Sequence, residues 1–258
     1  MKNLIFIMLL LLLSNLYAVN PSILTIVCED QEDFPYVLGQ GSTVLKDNPG
    51  AVVEALRILE KQMGIKLNIV RVPWRRALEM ELKNGHADAL FHASYRKDRE
   101  EFGVYPMKAG VVDENRKLFA TTYSFYRIKD SGIEWDGKEL KNFNGLIDAP
   151  RGYSIVQDLK SMSYKVDESV STQNGFQKLL ADRVQLVAAL EFTGDYFLEN
   201  NPDWAKRIEK IEKPIVVKAY YLMFSHKFYK ENKAFAELIW DNLAKIRDTE
   251  FDKLMLKY

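Results

Sequence analysis

The sequence is poor in the residues that metal sites and many catalytic sites need. It has one cysteine, Cys28, and only three histidines among 258 residues. A lone cysteine excludes a disulfide within the chain, and the spacing of the histidines does not suit a zinc site. The sequence also lacks the G-x-S-x-G nucleophile elbow and the G-x-x-x-x-G-K-S/T phosphate loop. We therefore expect a protein that uses no metal and no cofactor and that is not an enzyme.

An excess of charge of one sign is missing too. Lysine and arginine together number 36, as do aspartate and glutamate, so the formal net charge at pH 7 is zero. No basic stripe or acidic tail stands out. This balance argues against nucleic acid or a membrane surface as the partner.

Long apolar runs are absent apart from residues 4–13 at the start of the chain. Lys2 precedes this run and the polar, small-residue segment 14–18 follows it, a pattern typical of a secretory signal peptide. The run is too short to cross a bilayer core of about 30 Å as a helix. We predict cleavage after Ala18 and export of the mature chain, with an uncleaved anchor as the alternative. Cys28 follows a strand-like segment rather than a small-residue cleavage box, so we expect a buried cysteine and not a lipidation site.

Segments that favour strands alternate with segments that favour helices. The first such run has strands at residues 23–28, 66–72 and 87–93 and helices at residues 49–64 and 74–83. Asn48 and Pro49 are typical of a helix start, and Gly64 is typical of a helix end. A βαβαβ run of this kind predicts a mostly parallel sheet with right-handed crossovers.

A second run of the same kind follows, and it predicts a second lobe. Its strands and helices are expected at residues 145–149, 154–160, 164–170, 172–182 and 184–190. Extended segments near residues 117–123 and 214–221 would join the two α/β lobes. We expect a signal peptide at residues 1–18, a first lobe of residues 19–117 with 218–258, and a second lobe of residues 118–217. A ligand cleft would then lie between the carboxyl ends of the two sheets.

Several segments, taken in order, resemble the family 3 extracellular solute-binding proteins. A Pro-Trp corner starts a helix that ends in L-x-x-G-x-x-D, and a strand, an arginine and an F-x-x-Y-P segment follow. The matching segments are residues 34–36, 73–78, 82–90, 98–99, 102–106, 149–154 and 221–225. The resemblance implies a type II periplasmic binding protein fold and a periplasmic location. It also implies hinged closure over a small polar solute, an amino acid or related carboxylate, for delivery to an inner-membrane ABC permease.

The resemblance assigns the solute carboxylate to Arg99, whose planar fork of donors suits a bidentate bond. A solvated helix arginine is the alternative, because Arg99 lies in the charged run 96–101. Ser94 lies in the turn after a strand, where its hydroxyl can face an anion. His92 would share a strand face with Ser94 if the strand extends that far, or else be a core histidine.

Aromatic residues and a helix start complete the expected cleft. Trp74 and Tyr36 each follow the carboxyl end of a predicted strand, where they could flank the solute or fill the core. Tyr153 and Ser154 open a helix, whose N-terminus favours a carboxylate. The hydroxyl of Ser154 could bind the solute, cap the helix, or do both.

An acidic partner for a solute ammonium is less clear from the sequence. Gln185 and Leu190 stand where the family usually has aspartates, and Glu191 lies one step beyond. Glu191 reaches the cleft only if the strand ends or bulges there. With that condition we expect Glu191 to bind the ammonium.

The sequence is also compatible with two other functions. The fold also resembles periplasmic cyclohexadienyl dehydratases, in which a cleft carboxylate is the general acid, and Glu191 or Glu54 could have that role. Alternatively, the closed form could dock on a receptor kinase as a ligand-sensing subunit.

Overall fold

A computed structural model describes residues 20–258, so the predicted signal peptide lies outside the described residues. The strands are β1 (Ile23–Glu29), β2 (Lys66–Val72), β3 (Ala89–Ser94), β4 (Met107–Lys108), β5 (Val111–Val112), β6 (Phe119–Ile128), β7 (Glu134–Trp135), β8 (Leu140–Lys141), β9 (Ile147–Pro150), β10 (Val166–Ser169), β11 (Leu186–Leu190), β12 (Ile208–Lys210) and β13 (Val216–Phe224). The alternation of strands and helices predicted from hydrophobic periodicity is confirmed.

The α-helices are α1 (Ala51–Met63), α2 (Trp74–Arg76), α3 (Ser154–Ser161), α4 (Thr172–Leu180), α5 (Glu191–Glu199), α6 (Pro202–Ala205), α7 (His226–Glu231), α8 (Lys233–Ile246) and α9 (Asp252–Met255). Wider π turns continue α2 through Ala77–Leu82 and α8 through Arg247–Phe251. Short 3₁₀ turns cover Lys97–Glu101 and Glu114–Arg116. Within residues 20–258, no helix has both the length and the apolar character needed to cross a membrane.

One hydrogen-bonded sheet runs through both lobes in the order β10-β9-β11-β6-β13-β3-β1-β2, with β12 beside β6. The strands β2, β1 and β3 are parallel at one end, and β10, β9 and β11 are parallel at the other. We call the end with β1–β3, α1 and α2 the first lobe, and the end with β9–β11 and α3–α6 the second lobe. The predicted pair of mostly parallel α/β lobes is therefore confirmed.

The two long strands β6 and β13 carry the chain between the lobes. They pair with each other over part of their length, from Phe119 with Tyr220 to Tyr123 with Val216. Beyond this overlap, β13 pairs with β3 of the first lobe and β6 pairs with β11 of the second. Each long strand thus belongs to both lobes, and the overlap is the connection between them.

Helix α1 shows how the pattern of apolar residues becomes packing. Its residues Val52, Leu56 and Leu59 are fully buried, and Gly64 ends the helix with a left-handed φ of 63°. The predicted start at Pro49 is wrong, because the cap is Gly50 and the helix begins at Ala51. A Cβ atom at Gly50 would lie 2.4 Å from the carbonyl oxygen of Tyr36, so only glycine allows this close approach.

Candidate functional site

A narrow cavity of about 20 Å³ lies between the two lobes, beside the crossing strands. This volume holds little more than a water molecule, so a solute fits only when the lobes move apart. Both lobes contribute polar and aromatic side chains to its wall. The lining residues are Glu29, Asp33, Trp74, His92, Ser94, Arg99, Tyr123, Tyr153, Ser154, Leu190 and Tyr220.

Arg99 is the cation of this cavity, and it is only 4% exposed. Its Nη1 donates to the carbonyl oxygen of Ser94 at 2.9 Å and to Ser94 Oγ at 3.1 Å. The guanidinium carbon lies 5.4 Å from the ring centroid of Trp74, a cation–π distance. The charged run around Arg99 is exposed, but the short 3₁₀ turn directs Arg99 itself into the cleft. Arg99 is therefore held rigidly with its fork facing the second lobe.

Gly152 of the second lobe receives two hydrogen bonds from the first. Its carbonyl oxygen accepts Arg99 Nη2 at 3.0 Å and Trp74 Nε1 at 3.1 Å. Gly152 has a φ of 76°, and an added Cβ would lie 3.1 Å from Arg75 Cγ. Conformation and space together require glycine where the lobes meet.

Two serine hydroxyls also meet across the cleft. Ser94 Oγ donates to Ser154 Oγ at 2.9 Å, and both residues are almost completely buried. Tyr153, not Ser154, is the N-cap of α3, and no side chain caps this helix. The first N–H groups of α3 and two hydroxyls therefore point toward the region where Arg99 lies.

The sequence reasoning missed the two carboxyl groups of the cavity, Glu29 and Asp33. Glu29 accepts a hydrogen bond from the Tyr153 hydroxyl, and Asp33 accepts one from Thr193 Oγ1 of α5. Burial raises the pKa of Glu29 to about 8 and the pKa of Asp33 to about 7. Both bonds join the first lobe to the second, so these carboxyl groups take part in closure. The sequence signal that could have indicated them is the acidic segment at the end of β1, because ligands bind at the carboxyl ends of parallel strands.

Arg71 shapes the loop that carries both carboxyl groups. It is 1% exposed and donates to the backbone carbonyls of Glu29 at 3.0 Å, Gln31 at 2.9 Å and Leu38 at 3.0 Å. These bonds use Nε, Nη1 and Nη2 of the guanidinium. Arg71 is therefore a positioning residue for the loop and not a cavity residue.

His92 enters the cavity from a bulge in β3. Phe91 and His92 together oppose Leu222 of β13, and His92 takes a left-handed φ of 73°. A non-glycine residue in this region is strained by about 1–2 kcal/mol. Its Nε2 lies 3.2 Å from Asp33 Oδ2, but the angle does not make a hydrogen bond, and the atom has no other partner among the described residues. Burial lowers the pKa of His92 to about 3, so the ring is neutral.

Three tyrosines form the apolar part of the wall. Tyr123 of β6 and Tyr220 of β13 join their hydroxyls at 2.9 Å, inside the overlap of the crossing strands. Burial raises the pKa of both, and that of Tyr153, above the ordinary value, so all three stay neutral. These rings shield the polar groups of the cavity from water.

Two of the residues expected at the cleft lie elsewhere. Tyr36 is behind the cavity wall, stacked on Phe119 at 4.2 Å between ring centroids and edge-on to His92 at 5.4 Å. Glu191 begins α5 directly after β11 ends, so its side chain turns outward to Lys210 at 2.8 Å and Ser124 at 3.0 Å. The cavity lining at this point is Leu190 instead, so the placement of Glu191 in the cleft is wrong.

Glu54, the other residue considered as a general acid, pairs with Lys257 and Tyr258 and does not line the cavity. No group of three or more metal-binding side chains occurs in the part of the chain that the structure describes. The chemistry of the cavity is therefore that of one guanidinium, two carboxyl groups, a neutral imidazole and several hydroxyls.

No protein-family model matches the sequence, and neither does any curated protein. Solved structures, however, resemble the fold over nearly the whole chain. A histidine kinase sensor domain with similarity to periplasmic binding proteins superposes with a TM-score of 0.72 at 13% identity, covering 92% of this chain and 96% of that one.

Two further structures show the same likeness. The GluR0 ligand-binding core from Nostoc punctiforme, in complex with L-glutamate, has a TM-score of 0.68 at 13% identity, with coverage of 91% and 98%. The substrate-binding protein of an amino acid ABC transporter has a TM-score of 0.68 at 13% identity, with coverage of 92% and 98%. These likenesses show that the chain has the type II periplasmic binding protein fold.

Proposed function

We propose that this protein binds a small polar solute with a carboxylate group, such as an amino acid, by closing its two lobes around it. The observation that supports this most directly is the buried Arg99, which faces the other lobe from inside the inter-lobe cavity. A buried guanidinium needs an anionic or carbonyl partner, and a carboxylate matches its fork. In this proposal the solute carboxylate takes the place of the Gly152 carbonyl on Arg99.

The same geometry suggests how binding becomes movement. The cavity is closed by direct contacts between the lobes, so they must separate before a solute enters. Solute bound first to Arg99 and Ser94 can then recruit Ser154 and the N-terminus of α3. We place one lobe boundary between residues 117 and 118, just before the overlap of β6 and β13, and the other between residues 217 and 218, inside that overlap. The solute shifts the equilibrium by its higher affinity for the closed form.

The partner is part of the same proposal. One neighbour in fold belongs to an amino acid ABC transporter and another is a histidine kinase sensor domain. Export by the N-terminal signal peptide would place this protein in the periplasm, where the closed form could be recognised by an importer. Recognition by a sensor receptor is the alternative, because both kinds of partner can read one change of shape. Co-purification from membranes with and without solute distinguishes the two.

Calorimetry with a library of polar metabolites tests the binding function. We expect one-to-one uptake without turnover, and Arg99→Ala should weaken affinity by at least about thirtyfold because a charged hydrogen-bonding partner is lost. Arg96→Ala is the matched control, since Arg96 pairs with Asp98 outside the cavity. Equal losses in both variants, or consumption of prephenate or arogenate, would contradict the proposal.

A further inference from the structure

The charges of the cavity do not balance without a second cation. Glu29 and Asp33 bring two carboxyl groups, and Arg99 brings one guanidinium. In the proposed function Arg99 binds the solute carboxylate, and the α-ammonium of an amino acid balances one of the two carboxyl groups. Among the described residues no cation of the cavity balances the other, which therefore keeps its proton unless the solute brings a second cation.

The part of the protein that the structure describes does not supply that cation. Arg71 is the nearest basic residue to Glu29, but it donates to three backbone carbonyls and holds the loop. The other charged neighbours are acidic, Asp30 near Glu29 and Glu32 near Asp33. The direct partners of Glu29 and Asp33 are neutral hydroxyls from the second lobe. A buried, ionised carboxylate with only neutral partners costs several kcal/mol.

His92 gives an independent indication of a missing partner. Its side chain is 9% exposed and lines the cavity, and Nε2 makes no hydrogen bond. Asp33 Oδ2 is 3.2 Å away, so one N–H group between them could donate to both. The strained backbone at His92 keeps the ring in this position.

We propose that the solute carries a second, cationic group bound by Glu29, Asp33 and His92, so that the site selects a dibasic amino acid. This inference rests on the proposed function and adds the substrate class. The α-ammonium and an ammonium or guanidinium at the far end of the solute together neutralise the two carboxylates, and the cation at the far end donates to His92 Nε2. A solute with an uncharged or acidic end leaves these groups unpaired or adds repulsion.

Matched solutes test the inference without any mutation. L-lysine and L-norleucine have similar shapes but differ in the terminal ammonium, and L-arginine and L-citrulline differ in the same way. By calorimetry at pH 8, at least one charged member should bind at least about tenfold more tightly than its uncharged counterpart. If L-norleucine and L-citrulline both bind as tightly as their charged counterparts, the inference is wrong and the proposed function stands. If other carboxylates of the metabolite library bind but no amino acid does, the inference is wrong; if no carboxylate binds, the proposed function itself fails.

Variants then identify the residues responsible. Asp33→Asn and Glu29→Gln should each lower affinity for the preferred charged solute by at least about tenfold, and should lower affinity for its uncharged counterpart, which brings only the α-ammonium, by less. Asp30→Asn is the control, because Asp30 lies on the same loop but does not line the cavity. A loss as large in Asp30→Asn as in Asp33→Asn would overturn the assignment.

A proton count gives a further readout. A cation that ionises Glu29 and Asp33 must displace protons, so binding at pH 7 should release them, as measured by calorimetry in buffers of different ionisation enthalpy. Affinity should rise between pH 6 and 9. If the native protein releases no protons on binding, the inference is contradicted. It is equally contradicted if the Glu29→Gln/Asp33→Asn double variant releases as many protons as the native protein.

Discussion

Raising the pH should open the lobes when no solute is present. In the closed form the pKa of Glu29 is near 8 and that of Asp33 is near 7, because both are buried. In an open form water would reach them and their pKa values would approach about 4. The closed form therefore binds more protons, so this contribution to closure is complete below about pH 4 and is lost as the pH rises through 7 and 8.

The size of the effect follows from the same values. Between pH 5 and 7 each carboxyl group lies between its open and closed pKa, so each pH unit costs the closed form roughly 1.4 kcal/mol per group. For the two carboxyl groups over two pH units, the free energy of closure changes by on the order of 5 kcal/mol. Repulsion between the two carboxylates spreads this change over a wider pH range. His92, with a pKa lowered to about 3, stays neutral throughout and does not offset this cost. Such a change exceeds the few kcal/mol that usually separate two conformations.

Small-angle scattering between pH 5 and 9 measures this opening. The radius of gyration of the solute-free protein should increase with pH, and the Glu29→Gln/Asp33→Asn double variant should show no such increase, since its amides do not ionise. A saturating dibasic amino acid should keep the native protein closed at pH 9. A radius that stays constant over this range in the native protein would refute the reasoning.

Three other variants test separate parts of the structure. Gly152→Ala should weaken solute binding about tenfold or more, because the added Cβ strains the backbone φ and crowds the contact between the lobes. Gly110→Ala is the control: Gly110 also has a positive φ, of 83°, but has open space around it, so binding should be unchanged. Arg71→Ala should lower the free energy of unfolding in urea by about 3 kcal/mol, because three carbonyls lose a charged donor. Arg57→Ala in the middle of α1 should cost less than about 1 kcal/mol, because its two bonds to backbone carbonyls are exposed to water. Glu191→Gln should leave solute affinity unchanged in calorimetry, since the side chain pairs with a lysine outside the cavity; a loss of tenfold or more would return this residue to the site.

Periodicity was sufficient to predict the fold because it repeats over many residues. Each βα unit has strand-like and helix-like segments with clear ends, such as Gly64 after α1. The crossing strands were also visible as long extended segments near Tyr123 and Tyr220. A single residue at an element boundary is harder to place. Glu191 shows this, because the end of β11 at Leu190 turns the next side chain away from the cleft.

The acidic half of the cavity depends on contacts between distant residues, which sequence patterns do not contain. Glu29 ends β1 and Asp33 lies in the acidic loop that follows, a segment typical of a solvated surface, and a hydroxyl of the second lobe covers each of them. Arg71 holds that loop from another strand, and the bulge that turns His92 inward depends on pairing between β3 and β13. Arg99, in contrast, could be singled out because the segments around it resemble a family whose matching arginine binds the ligand carboxylate, although the charged run 96–101 also allowed a solvated arginine.

Protons and the cationic end of a solute have the same effect on this cavity. Each removes the uncompensated charge of Glu29 and Asp33, and each therefore permits the hydroxyls of Tyr153 and Thr193 to close over them. In acid the lobes can close without a solute, so a partner that reads closure alone would respond to low pH as well. Above about pH 8 the closed form loses these protons, and only a bound cation restores the balance. The measurement is the difference in radius of gyration between the solute-free protein and the protein with a dibasic solute. This difference should therefore be greatest in mildly alkaline conditions and smallest near pH 5.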